Sequence, residues 1–337
     1  MLWTPGQTLL KQFTVECLLG QGGMGDVYLV SRAIPGRTIQ FAVKTLSLRR
    51  TGEQHRKAFI GELRTWIELP SHPFITECFF FKTIHGRLAI FSEYVDGGTL
   101  REWIRRDRVG SVERILRTAI QSAMGLSVAH DCGVIHQDVK SGNILMTREG
   151  IPKITDFGIA RMKSATGEAE PDTGEIPREA SSASGIYGMQ TTLVTSGGLT
   201  PAYGSPEQVQ RRRVSRATDI WSFGVMLFEM FNRGITWQLG IQVPMILESY
   251  RRSPTGIPIP EPVIPILERC LAVDPADRWD SMDAVATALR AAYPEVTGKP
   301  WPGRDPDRIQ YHRAAGELRR KSRGFNLLKP LKWLHRA

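Results

Sequence analysis

Four stretches of this 337-residue chain gather residue types that handle phosphate oxygens, metal cations and protons. The first, Gly20-Gln21-Gly22-Gly23-Met24-Gly25-Asp26-Val27, has GxGxxGxV spacing. Without side chains at those positions, backbone N–H groups can approach phosphate oxygens closely. Alone the spacing is a weak signal, and its context decides. The segment that follows, Val27-Tyr28-Leu29-Val30, is strand-like, so the glycines join two strands as a hairpin folded over phosphates would. A dinucleotide-binding turn would instead open a helix. The second stretch is Phe41-Ala42-Val43-Lys44, a cation in a strand-like run. A lysine that grips α- and β-phosphates needs a helix carboxylate to hold it. Helical spacing leaves Glu53, Glu62 and Glu68 open, and the distance to Ser71-His72-Pro73-Phe74-Ile75 favours Glu62. The third and fourth stretches are Ile135-His136-Gln137-Asp138-Val139-Lys140-Ser141-Gly142-Asn143-Ile144-Leu145 and Ile154-Thr155-Asp156-Phe157-Gly158. Any one acid there would ordinarily be a surface or capping residue. The ordered set of all four stretches is far harder to obtain by chance.

In that order the motifs resemble the protein kinase family, and within it the serine/threonine kinases of bacteria. The resemblance spans roughly residues 10 to 293. It implies an α+β, two-lobed fold: a small antiparallel β-rich N-lobe with one main helix, and a larger helical C-lobe. It implies ATP as phosphoryl donor, Mg²⁺ (or Mn²⁺) as cation, and protein Ser/Thr hydroxyls as acceptors. Asp138 is then the catalytic base, Lys140 neutralises charge on the transferring group, and Lys44 holds the phosphates with Glu62. Asn143 and Asp156 are the metal ligands, oxygen donors for a hard cation. Leu19, Gly20, Gly22, Gly25, Val27, Ala42 and Leu145 line the ATP site, and main-chain groups of Glu93 and Val95 meet the adenine. Ser92 falls at the gatekeeper position, where a small side chain implies an open back pocket. His136 and Phe157 read as packing residues.

Further on, Gly198-Leu199-Thr200-Pro201-Ala202-Tyr203-Gly204-Ser205-Pro206-Glu207 resembles the end of an activation segment, with Thr200 positioned to bond Asp138 and Lys140. Asp219-Ile220-Trp221-Ser222-Phe223-Gly224 resembles the helix whose aspartate braces the catalytic loop, and Arg278 is the expected partner of Glu207. One residue departs from the pattern. Gln137 stands where the family carries an arginine that pairs with a phosphorylated activation loop. Thr191, Thr192, Thr195 and Ser196 remain candidate phosphosites, with weakened dependence on their modification.

These motifs need elements to carry them. Phe13–Leu19, Val27–Ser31, Thr38–Thr45 and Leu88–Phe91 read as strands, and Gln54–Leu69 as a helix ending before Pro70. Val112–His130, Ala217–Phe231 and Ser281–Ala292 read as long helices. The expected division is an extension at 1–9, a kinase domain at 10–293 and a Pro-containing basic tail at 294–337. Within the domain the N-lobe runs to about 92, the hinge over 93–97, the C-lobe over 98–293, and a long activation loop over 159–204. Lys163–Gly198, rich in Ser, Thr, Gly, Glu and Ala, reads as a disordered insert.

Hydrophobic residues at 41% and charged residues at 23% are ordinary for a globular chain. The formal charge is +10, but Lys299–Ala337 holds eleven Lys/Arg against three acids and so accounts for +8 of it. The main body is nearly balanced, which argues against a nucleic-acid partner. The tail mixes basic and apolar residues and suits an anionic membrane or a partner, although Pro330 interrupts any long helix there. The four cysteines lie far apart and read as reduced thiols. With no signal peptide or membrane span evident, the expected location is cytoplasmic, with peripheral membrane association through the tail. A transient dimer for autophosphorylation is also expected.

Two other functions compete. A pseudokinase scaffold usually lacks the lysine, the catalytic aspartate or the DFG aspartate, and Lys44, Asp138 and Asp156 are all present. A small-molecule kinase of related fold would not need the Thr200 and Ser205-Pro206-Glu207 segment that holds peptides.

Overall fold

The computed structural model describes residues 3–22, 25–46, 60–61, 63–157 and 200–303. Glu62, the candidate phosphosites, the 163–198 insert and the basic tail from 304 onward lie outside the described residues.

Short β-branched and aromatic runs build one antiparallel sheet from β1 (Thr8–Leu9), β2 (Phe13–Gly22), β3 (Gly25–Ile34), β4 (Arg37–Leu46), β5 (Cys78–Ile84) and β6 (Arg87–Glu93). Their spatial order is β1-β2-β3-β4-β6-β5. The two-residue period separates two faces. Tyr28, Val30, Phe41 and Val43 are buried on the outer face with Trp3, Leu9 and Phe13. Val27, Ala42 and Lys44 alternate with them and are half-buried. On the inner side, Leu63 and Trp66 of a helix, α1 (60–67, residue 62 aside), join the main core.

The sheet begins earlier than residue 10. Trp3 is buried against Tyr28 and donates its backbone N–H to the Tyr28 hydroxyl at 3.2 Å, and Thr8 and Leu9 pair with β2. The stretch read as an extension therefore closes the outer face of the sheet from residue 3 onward. β5 was also absent from the sequence reading. Its run Cys78-Phe79-Phe80-Phe81 is continuously apolar, and periodicity cannot separate such a run from buried helix.

β2 and β3 meet across Gly22 and Gly25. Gly25 has φ 140°, and a Cβ there would sit 1.6 Å from the Thr45 carbonyl oxygen, so only glycine lets the hairpin lie this close to β4.

The second lobe comprises α2 (Leu100–Arg105), α3 (Val112–Asp131), α4 (Pro206–Val209), α5 (Arg216–Asn232), α6 (Val243–Arg252), α7 (Ile264–Cys270) and α8 (Met282–Thr297). Side chains at the N-caps Thr99, Ser111, Ser205, Ser215 and Ser281 satisfy the first-turn N–H groups. α5 is buried from Thr218 to Asn232, as its nearly all-round apolar sequence requires. A short hairpin, β7 (Ile144–Met146) with β8 (Pro152–Ile154), lies between the lobes. α8 passes the expected boundary at 293, because Pro294 forfeits only its own N–H bond and Gly298 at φ 68° closes the helix. Trp301 then packs edge-on against Tyr293 at 5.2 Å. Among the described residues no helix is long and apolar enough to cross a membrane.

Candidate active site

A buried carboxylate sets the loop that carries Asp138. Asp219, fully buried near the start of α5, accepts from the backbone N–H groups of His136 and Gln137, each at 2.7 Å, and contacts His130 Nε2 at 2.7 Å. Those bonds hold Gln137 at φ 65°, a conformation that costs a non-glycine residue about 1–2 kcal/mol. Gln208 of α4 adds a bond from its Nε2 to the Gln137 carbonyl at 3.0 Å.

Asp138 is the hub of a polar cluster. Lys140 Nζ donates to Asp138 Oδ2 and to Thr200 Oγ1, both at 2.7 Å, and the Thr200 hydroxyl donates to Asp138 Oδ1 at 2.9 Å. Asn143 Nδ2 donates to the Asp138 carbonyl at 2.8 Å and to Oδ2 at 3.1 Å.

The β7–β8 hairpin brings Asn143 and Asp156 to one end. Ile144 pairs with Ile154, and the Thr155 N–H donates to the Asn143 carbonyl at 3.0 Å. Asp156 follows at φ 67°, and its Oδ2 accepts from Lys44 Nζ at 2.5 Å. Asn143 Oδ1 and Asp156 Oδ1 are left with no donor among the described residues. They are two hard oxygens, and no cluster of three or more acidic, His or Cys ligands surrounds them there. That donor set fits a divalent cation completing its shell from phosphate and water oxygens. His136 and Phe157 do pack: their rings lie 4.8 Å apart, Trp66 follows at 6.1 Å, and His136 Nε2 meets the Thr155 carbonyl at 2.8 Å.

The residues expected at the nucleotide lie on the β2–β3 hairpin, on β4 and β7, and on the inter-lobe connection. Leu145 is held beneath the inter-lobe connection by bonds from Gly97 N–H to the Met146 carbonyl and from Met146 N–H to the Gly98 carbonyl, both 2.8 Å. A Cβ on Gly97 would meet the Met146 oxygen at 2.3 Å, which explains the glycine. Gly20 is paired with Val27 across the hairpin, and Leu19 sits exposed at the bulge beside it. Gly22 closes the same hairpin opposite Gly25. Among the described residues the Val95 N–H and C=O have no backbone partner, whereas the Glu93 N–H is taken by the Glu77 carbonyl at 2.9 Å. Ser92 is buried and its hydroxyl donates to the Ala42 carbonyl at 3.3 Å. Ser92→Met is expected to weaken inhibitors whose groups extend past residue 92 by at least about tenfold, through lost volume. Equal affinities in a competition assay would remove the open back pocket.

Arg278, almost fully buried, uses all five N–H donors. It meets Glu207 Oε1 at 2.8 Å and Oε2 at 2.9 Å, and the carbonyls of Ala217, Ala272 and Val273. Burial pushes the Glu207 carboxyl up, but the Arg278 guanidinium, a backbone bond and the Thr218 hydroxyl together more than offset this, so it ends below the ordinary value.

Three features escaped the sequence reading. Lys153 pairs with Glu93 at 2.8 Å and so pins the inter-lobe connection to β8. His130 joins the Asp219 cluster from α3. Glu229, buried in α5, accepts from Tyr203 Oη at 2.6 Å and Ser141 Oγ at 2.8 Å, and burial raises its pKa. A lone acid in an apolar helix was the readable sign of this last one.

Comparison with known proteins agrees with this geometry. Residues 13–289 match the model of the protein kinase domain. A serine/threonine-protein kinase of Corynebacterium efficiens is 29% identical over 83% of this chain, covering 50% of its own length. A probable serine/threonine-protein kinase of Streptomyces coelicolor is 30% identical over 81% of this chain and 39% of itself. The serine/threonine-protein kinase PknA of Mycobacterium tuberculosis is 31% identical over 89% of this chain and 66% of itself. The chain thus spans half or less of the first two relatives.

Proposed function

Because this chain belongs to the protein kinase family, we propose that it transfers the γ-phosphoryl group of ATP to serine and threonine hydroxyls of proteins. The observation that carries this reading is the Asp138–Lys140–Thr200 cluster beside Asn143 and Asp156. A lysine two residues after the base, bonded to a threonine of the activation segment, resembles the serine/threonine branch of the family.

Asp138 orients the acceptor hydroxyl and takes its proton as the new O–P bond forms and the bond from the γ-phosphorus to the bridging oxygen breaks, releasing ADP. Lys140 meets the charge on the phosphoryl group in transit, and Lys44 steadies the α- and β-phosphates. Val27, Ala42 and Leu145 sandwich the adenine, while Glu93 and Val95 offer main-chain groups. Asn143 and Asp156 would hold Mg²⁺, which would supply positive charge against the phosphate oxygens.

The direct test is incubation of the full chain with Mg-ATP and a protein substrate, followed by mass spectrometry. Phosphoserine and phosphothreonine are expected. ATP binding without transfer to any protein would favour a scaffold.

Gln137 cannot neutralise a phosphate, and its carbonyl is already engaged by Gln208. Replacing Thr191, Thr192, Thr195 and Ser196 together by alanine is therefore expected to leave kcat within about threefold of wild type. A fall of orders of magnitude in steady-state assays would show that loop phosphorylation governs activity. We further assign the basic tail to an anionic membrane surface, through its Lys/Arg and apolar residues. Co-sedimentation with phosphatidylserine vesicles that truncation at 303 does not reduce would sink that assignment.

A further inference from the structure

We propose that Arg101, with Arg105 one helical turn away, forms a docking surface for an acidic residue flanking the acceptor hydroxyl, so that the site selects acidic protein segments. The inference deepens the kinase reading and rests on it.

α2 is amphipathic in a simple way. Leu100, Trp103 and Ile104 are buried, while Arg101 and Arg105 are exposed and spaced i, i+4 on one face. Arg101 stands over the catalytic loop: a Cβ built on Gly142 would lie 3.4 Å from its Cζ and Nη2. Gly142 is two residues from Lys140 and four from Asp138. On this reading a polypeptide presenting its hydroxyl to Asp138 passes this rim, beside the Arg101 guanidinium.

The surrounding charges leave that cation unspent. Among the described residues Arg101 forms no ion pair. Its neighbour Glu102 is committed to the Thr99 N–H at 2.9 Å, and Asp107 lies 3.7 Å from Arg233. Asp96 pairs with Arg148 at 2.9 Å. Asp138 is occupied by Lys140 and Thr200. Glu229 lies beneath Arg101, close enough for the guanidinium to lower its pKa, although burial raises it overall. It is 2% exposed and already accepts from Tyr203 and Ser141, so a substrate cation cannot reach it. Arg101 and Arg105 are thus accessible cations without an ion pair among the described residues, and a carboxylate is their complement. A guanidinium fork suits it best, offering two parallel N–H bonds.

The test uses three threonine peptides that differ only in the flanking residues, Glu, Gln or Lys, phosphorylated with Mg-ATP by the full chain. Wild type is expected to favour the Glu peptide over the Gln peptide by about five- to tenfold in kcat/KM, less at high salt. Arg101→Gln is expected to bring that ratio near unity, Arg101→Lys to keep part of it, and Arg101→Glu to shift preference to the Lys peptide. Thermal unfolding confirms that each variant is folded. No acidic preference in wild type, or a preference unchanged in Arg101→Glu, overturns the docking surface alone. Failure to phosphorylate every peptide and every protein offered, with ATP still bound, overturns the kinase reading itself.

Discussion

Replacing Asp138 with Asn is expected to lower kcat by about 10²–10⁴-fold while leaving nucleotide affinity nearly unchanged. The substitution preserves shape but removes the group that can accept a proton. It also disturbs its neighbours. Asp138 now accepts from Lys140, Thr200 and Asn143, and an amide nitrogen in place of one oxygen would turn its own N–H groups towards these donors. Because these interactions act on the reacting hydroxyl, kcat and kcat/KM should fall together. Steady-state transfer to a peptide and calorimetric titration with a nucleotide separate the two effects. A loss smaller than about tenfold would assign Asp138 to structure and leave the proton to another group.

The second large effect lies outside the cleft. Arg278→Met is expected to destabilise the fold by about 3–5 kcal/mol, because it strands the Glu207 carboxylate without its cation. The pH dependence should weaken as well. In the wild type Glu207 titrates below its ordinary value, so its contribution is present above the unfolded pKa. That contribution is lost as pH falls through the folded value. In the variant burial still pushes the carboxyl up, now opposed only by the Thr218 hydroxyl and a backbone bond, so the stability gained above the unfolded pKa shrinks. Urea unfolding of both proteins from acid to neutral pH reads the change directly. Parallel pH curves would mean that Arg278 does not control the Glu207 charge. The strain should reach the catalytic loop, since Glu207 and Gln208 are neighbours on α4 and Gln208 holds the Gln137 carbonyl.

Much of the chemistry was written locally. Glycines at 20, 22 and 25, Lys44, the Asp138–Asn143 run and Asp156 declare their residue types within short windows, and strand or helix periodicity around them survives folding. α5 and α3 were legible because their apolar patterns are long. β5 and the sheet-closing role of Trp3 were not. The first is too uniformly apolar to show a period, and the second depends on a tyrosine 25 residues away.

What the linear order determined by itself was the inventory of groups and the elements that carry them. Tertiary structure decided the partners that no motif announced: Lys44 with Asp156 across 112 residues, His130 with Asp219, Lys153 with Glu93, and Arg101 over Gly142. Local propensity is felt over a few residues. A hydrogen bond between distant residues forms only where packing of the whole core brings donor to acceptor and removes the water that would otherwise satisfy both.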